Sequence, residues 1–159
     1  NRGNFGRVGR GLYRIPTIPL SEHDDLIRLT LWSRGRDDAP QAVVSHESAL
    51  SLHELSDMLP GKVHLTVPRS FRRAAPAECI LHKADLAEHE SAAWGAFRVT
   101  TPLRTLTDVA SEHAVPSEQL ERAVHDALER GLVVLSRLRA AAAEVGARSR
   151  LSRLVAELA

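Results

Sequence analysis

A single cysteine, Cys79, stands in 159 residues. No disulfide can close within the chain, and a reducing, cytoplasmic setting is the expectation. No apolar run approaches the roughly 20 residues that a membrane-spanning helix requires. No methionine opens the sequence and no signal-like segment follows, so the chain is expected to begin in the middle of something longer, trimmed or a fragment. Acidic residues are also missing from one end. Four of the 21 Lys and Arg but none of the 20 Asp and Glu fall in the first twenty positions, so the formal charge is +4 there and −3 over the rest. Such asymmetry points to an electrostatic contact at that end.

Several chemistry-bearing patterns are absent too. No Gly-x-Ser-x-Gly elbow offers a serine nucleophile. Gly3, Gly6, Gly9 and Gly11 are followed by neither Lys-Ser nor Lys-Thr, which removes a phosphate-cradling nucleotide loop. Three His-Glu pairs occur, at His46, His53 and His89, but the residues four further on are Leu50, Asp57 and Ala93, so none makes the two-histidine zinc helix. His53 and Asp57 could share one helical face, yet no third ligand stands at helical spacing, and His46 and His53 read as polar side chains flanking a core face. Cys79, in an apolar strand pattern, reads as a core thiol. Glu78 and Lys83 lack an acidic partner ahead of them, which argues against a metal-dependent nuclease site. No catalytic residue, metal ligand or cofactor is expected.

What is present begins with the basic end. In NRGNFGRVGRGLYRIP, Phe5 to Val8 and Leu12 to Ile15 read as two short strands, with Gly9, Arg10 and Gly11 supplying a turn in which glycine tolerates positive φ. Arg7, Arg10 and Arg14 then belong to one small ribbon, a composition suited to phosphate because guanidinium groups bind its oxygens bidentately and displace condensed counterions. A second basic cluster, Arg69, Arg72 and Arg73, lies in the loop Pro68 to Pro76; it reads either as a solvated loop or as a further DNA contact.

The remainder reads as α+β. A Pro-containing linker, Thr17 to Leu20, leads to a helix capped by Ser21 with Glu22, Asp24 and Asp25 in its first turn. Ala42 to Val44 is a short buried strand, and Ser45 caps a helix carrying Ala49, Leu52, Leu55 and Leu59 until Pro60-Gly61 ends it. From Lys62 to Val67, Val63, Leu65 and Val67 alternate with polar residues, the period of a half-buried strand. Strands at Glu78 to His82 and Ala96 to Thr100, separated by a polar stretch around His89, finish a small sheet. Thr101-Pro102 then opens a helical layer with apolar faces at Leu103 to Ala110, Leu120 to Leu128, Leu138 to Val145 and Leu151 to Leu158, Gly131 ending the second helix.

With these elements in place, FGRVGRGLYRIP resembles the end of the winged helix-turn-helix of AbiEi-family antitoxins of type IV (abortive-infection) toxin–antitoxin systems. Arg7, Gly11, Leu12, Tyr13 and Arg14 occupy the places of that family's basic hairpin. AVVSHESALSLHEL, KVHLTVP, VTTPLRTLTDVA and LERAVHDALERGL are similar to its C-terminal region, so the likeness runs from about Phe5 to Leu138. The family's helices ahead of the wing, including its recognition helix, have no counterpart in this sequence. The resemblance implies residues 1–16 as the wing of an incomplete winged helix-turn-helix and residues 17–159 as the antitoxin's C-terminal domain. It implies a DNA-binding transcriptional autorepressor that acts on its own operon and counteracts a nucleotidyltransferase toxin. Two other classes stay open on the residues alone: a restriction-endonuclease-like nuclease, and a non-catalytic protein-interaction module.

Overall fold

The computed structural model describes residues 6–9, 12–14 and 23–158. Its architecture is α+β, in agreement with the sequence reading. An antiparallel hairpin of β1 (Gly6–Gly9) and β2 (Leu12–Arg14) pairs Arg7 with Tyr13 and Gly6 with Arg14, with an irregular register between Arg7 and Gly9. Beside it lies α1 (Asp24–Trp32). The body follows as β3 (Val43–Val44), α2 (His46–Leu52), β4 (Val63–Val67), β5 (Cys79–Lys83), β6 (Ser91–Trp94) and β7 (Phe97–Thr100), a 3₁₀ turn at Glu88–Glu90 preceding β6. Four helices close the chain: α3 (Pro102–Ser111), α4 (Ser117–Glu129), α5 (Leu135–Val145) and α6 (Arg150–Glu157). Among the described residues no helix is long and apolar enough to cross a membrane.

The five body strands lie in the order β5-β4-β3-β7-β6. β3 is antiparallel to β4 and parallel to β7, β4 is parallel to β5, and β6 is antiparallel to β7. One sheet face carries Val44, Leu65, Val67 and Val99, which pack with Leu29 of α1 and with Phe71 in the first apolar core. A second core lies within the helical layer, where Leu106, Val109, Leu120, Val124, Leu138 and Leu151 are all but fully buried. Each such side chain contributes about 1.5–3 kcal/mol relative to exposure, and neither layer could bury its apolar face alone.

Local chemistry explains most boundaries. Thr101 accepts the Arg104 N–H and Pro102 holds the first helical position of α3, as its sequence suggests. At the end of α4, Leu132 N–H donates to Ala127 O and Gly131 N–H to Leu128 O, the two bonds of a Schellman turn, with Gly131 at φ +71°. The same turn ends α2 at an unexpected place. Leu55 N–H donates to Leu50 O and Glu54 N–H to Ser51 O, with Glu54 at φ +56° in the position glycine usually takes. Arg130 holds that turn by donating to the carbonyls of His53 and Glu54. The helix expected to carry Leu59 therefore stops at Leu52, and Leu59 is 87% exposed.

Three other expectations change. Ser91 to Trp94, expected as polar connection, is an edge strand. Ser45 precedes α2 but makes no capping bond; its hydroxyl is used elsewhere, as described below. β4 is not half-buried: His64 and Thr66 are as covered as Leu65 and Val67, because α2 lies over the polar side of the sheet. Ser21, the cap expected for α1, lies outside the described residues.

Candidate functional site

The buried polar side of the sheet holds the only cluster among the described residues in which three histidines meet carboxylates. Parallel pairing sets Thr66 opposite His82 and His64 opposite Ile80, so His64, Thr66 and His82 share one face of β4 and β5. The chain leaving β3 crosses that face and starts α2. Ser45 N–H donates to His64 O at 3.1 Å and His64 N–H to Ser48 Oγ at 2.9 Å, which fixes the beginning of α2 over β4. His46 stands there at φ +53°, a left-handed conformation that costs a non-glycine residue about 1–3 kcal/mol and that concentrates at functional sites. Glu112 enters from the opposite layer as the first residue past α3, and Arg150 of α6 braces its turn by donating to the carbonyls of Glu112 and Val115 at 2.7 and 2.6 Å.

The three imidazoles lie nearly parallel: His46 stacks on His82, and His64 meets His82 edge to edge through the ring nitrogens. The rings of His46 and His82 lie 3.5 Å apart, centroid to centroid, and 12° from parallel; those of His64 and His82 lie 5.2 Å apart. Polar contacts run through the three rings from end to end. His46 Nδ1 meets Ser45 Oγ at 2.8 Å, and the Thr66 hydroxyl donates to that same Oγ at 2.7 Å. His64 Nδ1 and His82 Nε2 are 2.9 Å apart. His64 Nε2 faces Glu47 Oε2 at 3.4 Å, while His82 Nδ1 and His46 Nε2 face Glu112 Oε1 at 3.0 and 3.7 Å.

Burial governs the protonation of the cluster. It lowers His46 to about 3, helped by His82, His64 and Arg104, and lowers His82 to about 4, helped by His64. Both imidazoles are neutral at pH 7. Burial also raises the Glu112 carboxyl above the ordinary range, against the pull of His64. Behind the cluster, Arg104 pairs with Glu90 at 2.7 Å and Asp108 at 2.9 Å; burial nevertheless pushes Asp108 up to about 6, and its Oδ2 has no hydrogen-bond partner. Among the described residues two sets of groups are close enough to hold a metal ion: His46, His82 and Glu112, and Glu47, His64 and Glu112, with the ligand atoms of each set within 4.8 Å of one another.

The pair weighed from sequence as possible ligands is not assembled. α2 ends before His53, whose Nε2–H donates to Thr100 O at 2.8 Å and whose ring meets Trp94 edge-on, whereas Asp57 is exposed in the following turn. His46 is not a flank of a core face but part of the cluster. His64 and His82 escape a reading of the sequence because they are 18 residues apart, on strands whose pairing no local pattern reveals. A signal is present in the alternation of β4 alone, where His64 lies on the side opposite Val63, Leu65 and Val67; on β5 His82 shares its side with apolar Ile80, and the pattern says nothing of it. Cys79 is buried, as expected of a core thiol, and burial pushes it up to about 11. Glu78 is paired with Arg28 at 2.9 Å.

Of the arginines expected to contact DNA, Arg7 and Arg14 lie on the paired strands of the hairpin, and Arg10 falls outside the described residues. The loop arginines divide. The loop is the crossover between the parallel strands β4 and β5, pinned by buried Phe71. Arg73 lies against both Trp32 and Phe71, 5.1 and 4.8 Å from the centroids of two rings that themselves meet edge-on, and donates to Trp32 O at 2.6 Å and Arg34 O at 2.7 Å at the end of α1. Arg72 donates to the carbonyls of Arg69 and Phe71. Arg73 thus closes the crossover onto the C-terminal carbonyls of α1, where a cation is favourable, and does not project as a free contact. The Arg69 guanidinium has no partner among the described residues.

Neither a scan against protein-family models nor a search of curated proteins returns a match for this chain.

Proposed function

We propose that this chain belongs to a DNA-binding, non-enzymatic antitoxin that represses its own operon and counteracts a nucleotidyltransferase toxin. The observation that supports the reading is the antiparallel hairpin of β1 and β2 at the end of the chain with charge +4 and no acid, which we read as a wing. Wings bind the DNA backbone, and backbone contacts position a protein without reading sequence. Arg7, Arg10 and Arg14 contact phosphates in this reading, and Arg69 is the loop residue free to add another. Electrophoretic mobility shift on the protein's own upstream DNA, repeated across salt concentrations, tests it. Replacing Arg10 and Arg14 by Ala should weaken binding and flatten the log–log salt dependence by about one unit of slope for each phosphate no longer neutralised. An unchanged slope would mean that the hairpin does not meet DNA.

A further inference from the structure

We infer that His46 Nε2, His82 Nδ1 and Glu112 Oε1 form a site for one borderline divalent cation of the Zn²⁺ type, with His64, hydrogen-bonded to His82, and Glu47, 3.4 Å from His64, as the support behind His82. Two imidazoles and a carboxylate are the donor set such ions select. Ligands about 2.1 Å from a tetrahedral ion are about 3.4 Å from one another, and the two distances to Glu112 Oε1, 3.0 and 3.7 Å, bracket that edge. The three ligands come from the start of α2, from β5 and from the residue after α3, so an ion here ties the sheet to the helical layer.

Proton bookkeeping decides between the two sets that share Glu112. His64 Nδ1 and His82 Nε2, at 2.9 Å, hold one proton between them. With that proton on His82 Nε2, His82 Nδ1 is a lone pair free for the ion, and His64, accepting at Nδ1, has its N–H at Nε2, 3.4 Å from Glu47 Oε2. His46 completes the pattern, since an Nδ1–H donated to Ser45 Oγ leaves Nε2 as the second lone pair. Every ring nitrogen then has a role, and the chain ion, His82, His64, Glu47 is the carboxylate-backed arrangement that orients metal-bound histidines. With the proton on His64 Nδ1 instead, His82 Nδ1 carries a hydrogen and only the set of Glu47, His64 and Glu112 remains. The two sets exclude one another, and the one with two imidazoles suits a borderline ion better. An ion lies in the plane of each ring it binds, so loading splays the His46–His82 stack and replaces a ring contact with two coordinate bonds.

The tag-free chain, stripped of metal, is titrated with Zn²⁺ against a chromophoric chelator and with Co²⁺ by visible absorption. One equivalent should bind with a Kd of about 10 µM or below, and the Co²⁺ complex should show the intense d–d bands of a four-coordinate nitrogen and oxygen site. At Zn²⁺ about 100-fold above Kd, Tm should rise by about 5 °C or more. H46Q and H82Q should each weaken binding by at least about 100-fold, and H64Q by about 10- to 100-fold with one equivalent retained. H125Q, on the exposed face of α4, should leave the affinity unchanged. Circular dichroism establishes which variants fold; should H46Q and H82Q both misfold, the stoichiometry and Co²⁺ spectrum of the unmodified chain decide. No saturable binding by that chain, two equivalents of equal affinity, or undiminished binding by folded H46Q or H82Q would overturn the assignment. These outcomes are independent of the hairpin's contact with DNA.

Discussion

Lowering the pH from 7 to 5 should cost the metal-free protein about 2 kcal/mol of stability, and the histidine stack is the reason. His46 and His82 are held at about 3 and about 4, from an ordinary 6.5. Their side chains are only 9% and 17% exposed, so solvent does little to screen the effect. Across this interval they stay neutral in the fold while the unfolded chain takes up protons. The unfolded state therefore binds more protons, and the stabilisation, complete above pH 6.5, is lost as the pH falls towards the native values. Each histidine accounts for about 1–2 kcal/mol of loss by pH 5. Asp108 works the other way: raised from 3.8 to about 6, it protonates in the fold first and returns about 1 kcal/mol over the same interval. Of the other groups around the cluster, raised Glu112 acts in the direction of Asp108, and lowered His53, nearby on the sheet, in that of the two histidines. Glu47, His64 and Arg104 complete the charged surroundings. Urea unfolding followed by Trp32 and Trp94 fluorescence, in EDTA at constant ionic strength and at pH 7, 6 and 5, measures the change. H82Q should remove most of it. Stability that is level or higher at pH 5 in the unmodified protein would refute the account of a neutral, desolvated stack.

The crossover loop and the thiol give two further expectations. R73A should lower stability by about 1–2 kcal/mol, because it removes the guanidinium from against two aromatic rings and deletes two carbonyl bonds, without weakening DNA binding. R69A should do the reverse, which parallel urea and mobility-shift series would show. Cys79, only 3% exposed and with its thiol pushed up to about 11, should react with an aromatic disulfide reagent at least about 10³-fold more slowly in the native protein than in urea. Rapid native labelling would place it at the surface instead.

Much of the secondary structure follows from local chemistry that a sequence displays directly. Thr101-Pro102 starts a helix because a hydroxyl and a fixed φ satisfy the first turn, Gly131 ends one because that position needs positive φ, and the apolar residues of α3 and α4 repeat at the helical period. The hairpin at the basic end is legible for the same reason, since its turn and strands are neighbours in the chain. The end of α2 is less so. Glu54 occupies a glycine's conformation there, and what holds it is Arg130, more than 70 residues away.

The site is not legible, and the cause is range. Whether His64 faces water or a packed layer depends on what covers the second side of β4, which only the placement of α2 decides. His82 reaches His64 through a parallel register that needs a crossover, and the crossover's arginines, which alone look like a basic patch, are partly consumed in closing it over α1. Composition and local propensity determined the charge of one end and most of the strands and helices, though neither β6 nor the end of α2. Tertiary packing alone brought His46, His64, His82, Glu47 and Glu112 together, because contacts between residues distant in the chain depend on strand pairing and layer stacking, which leave no mark at the spacing of a turn or a helix.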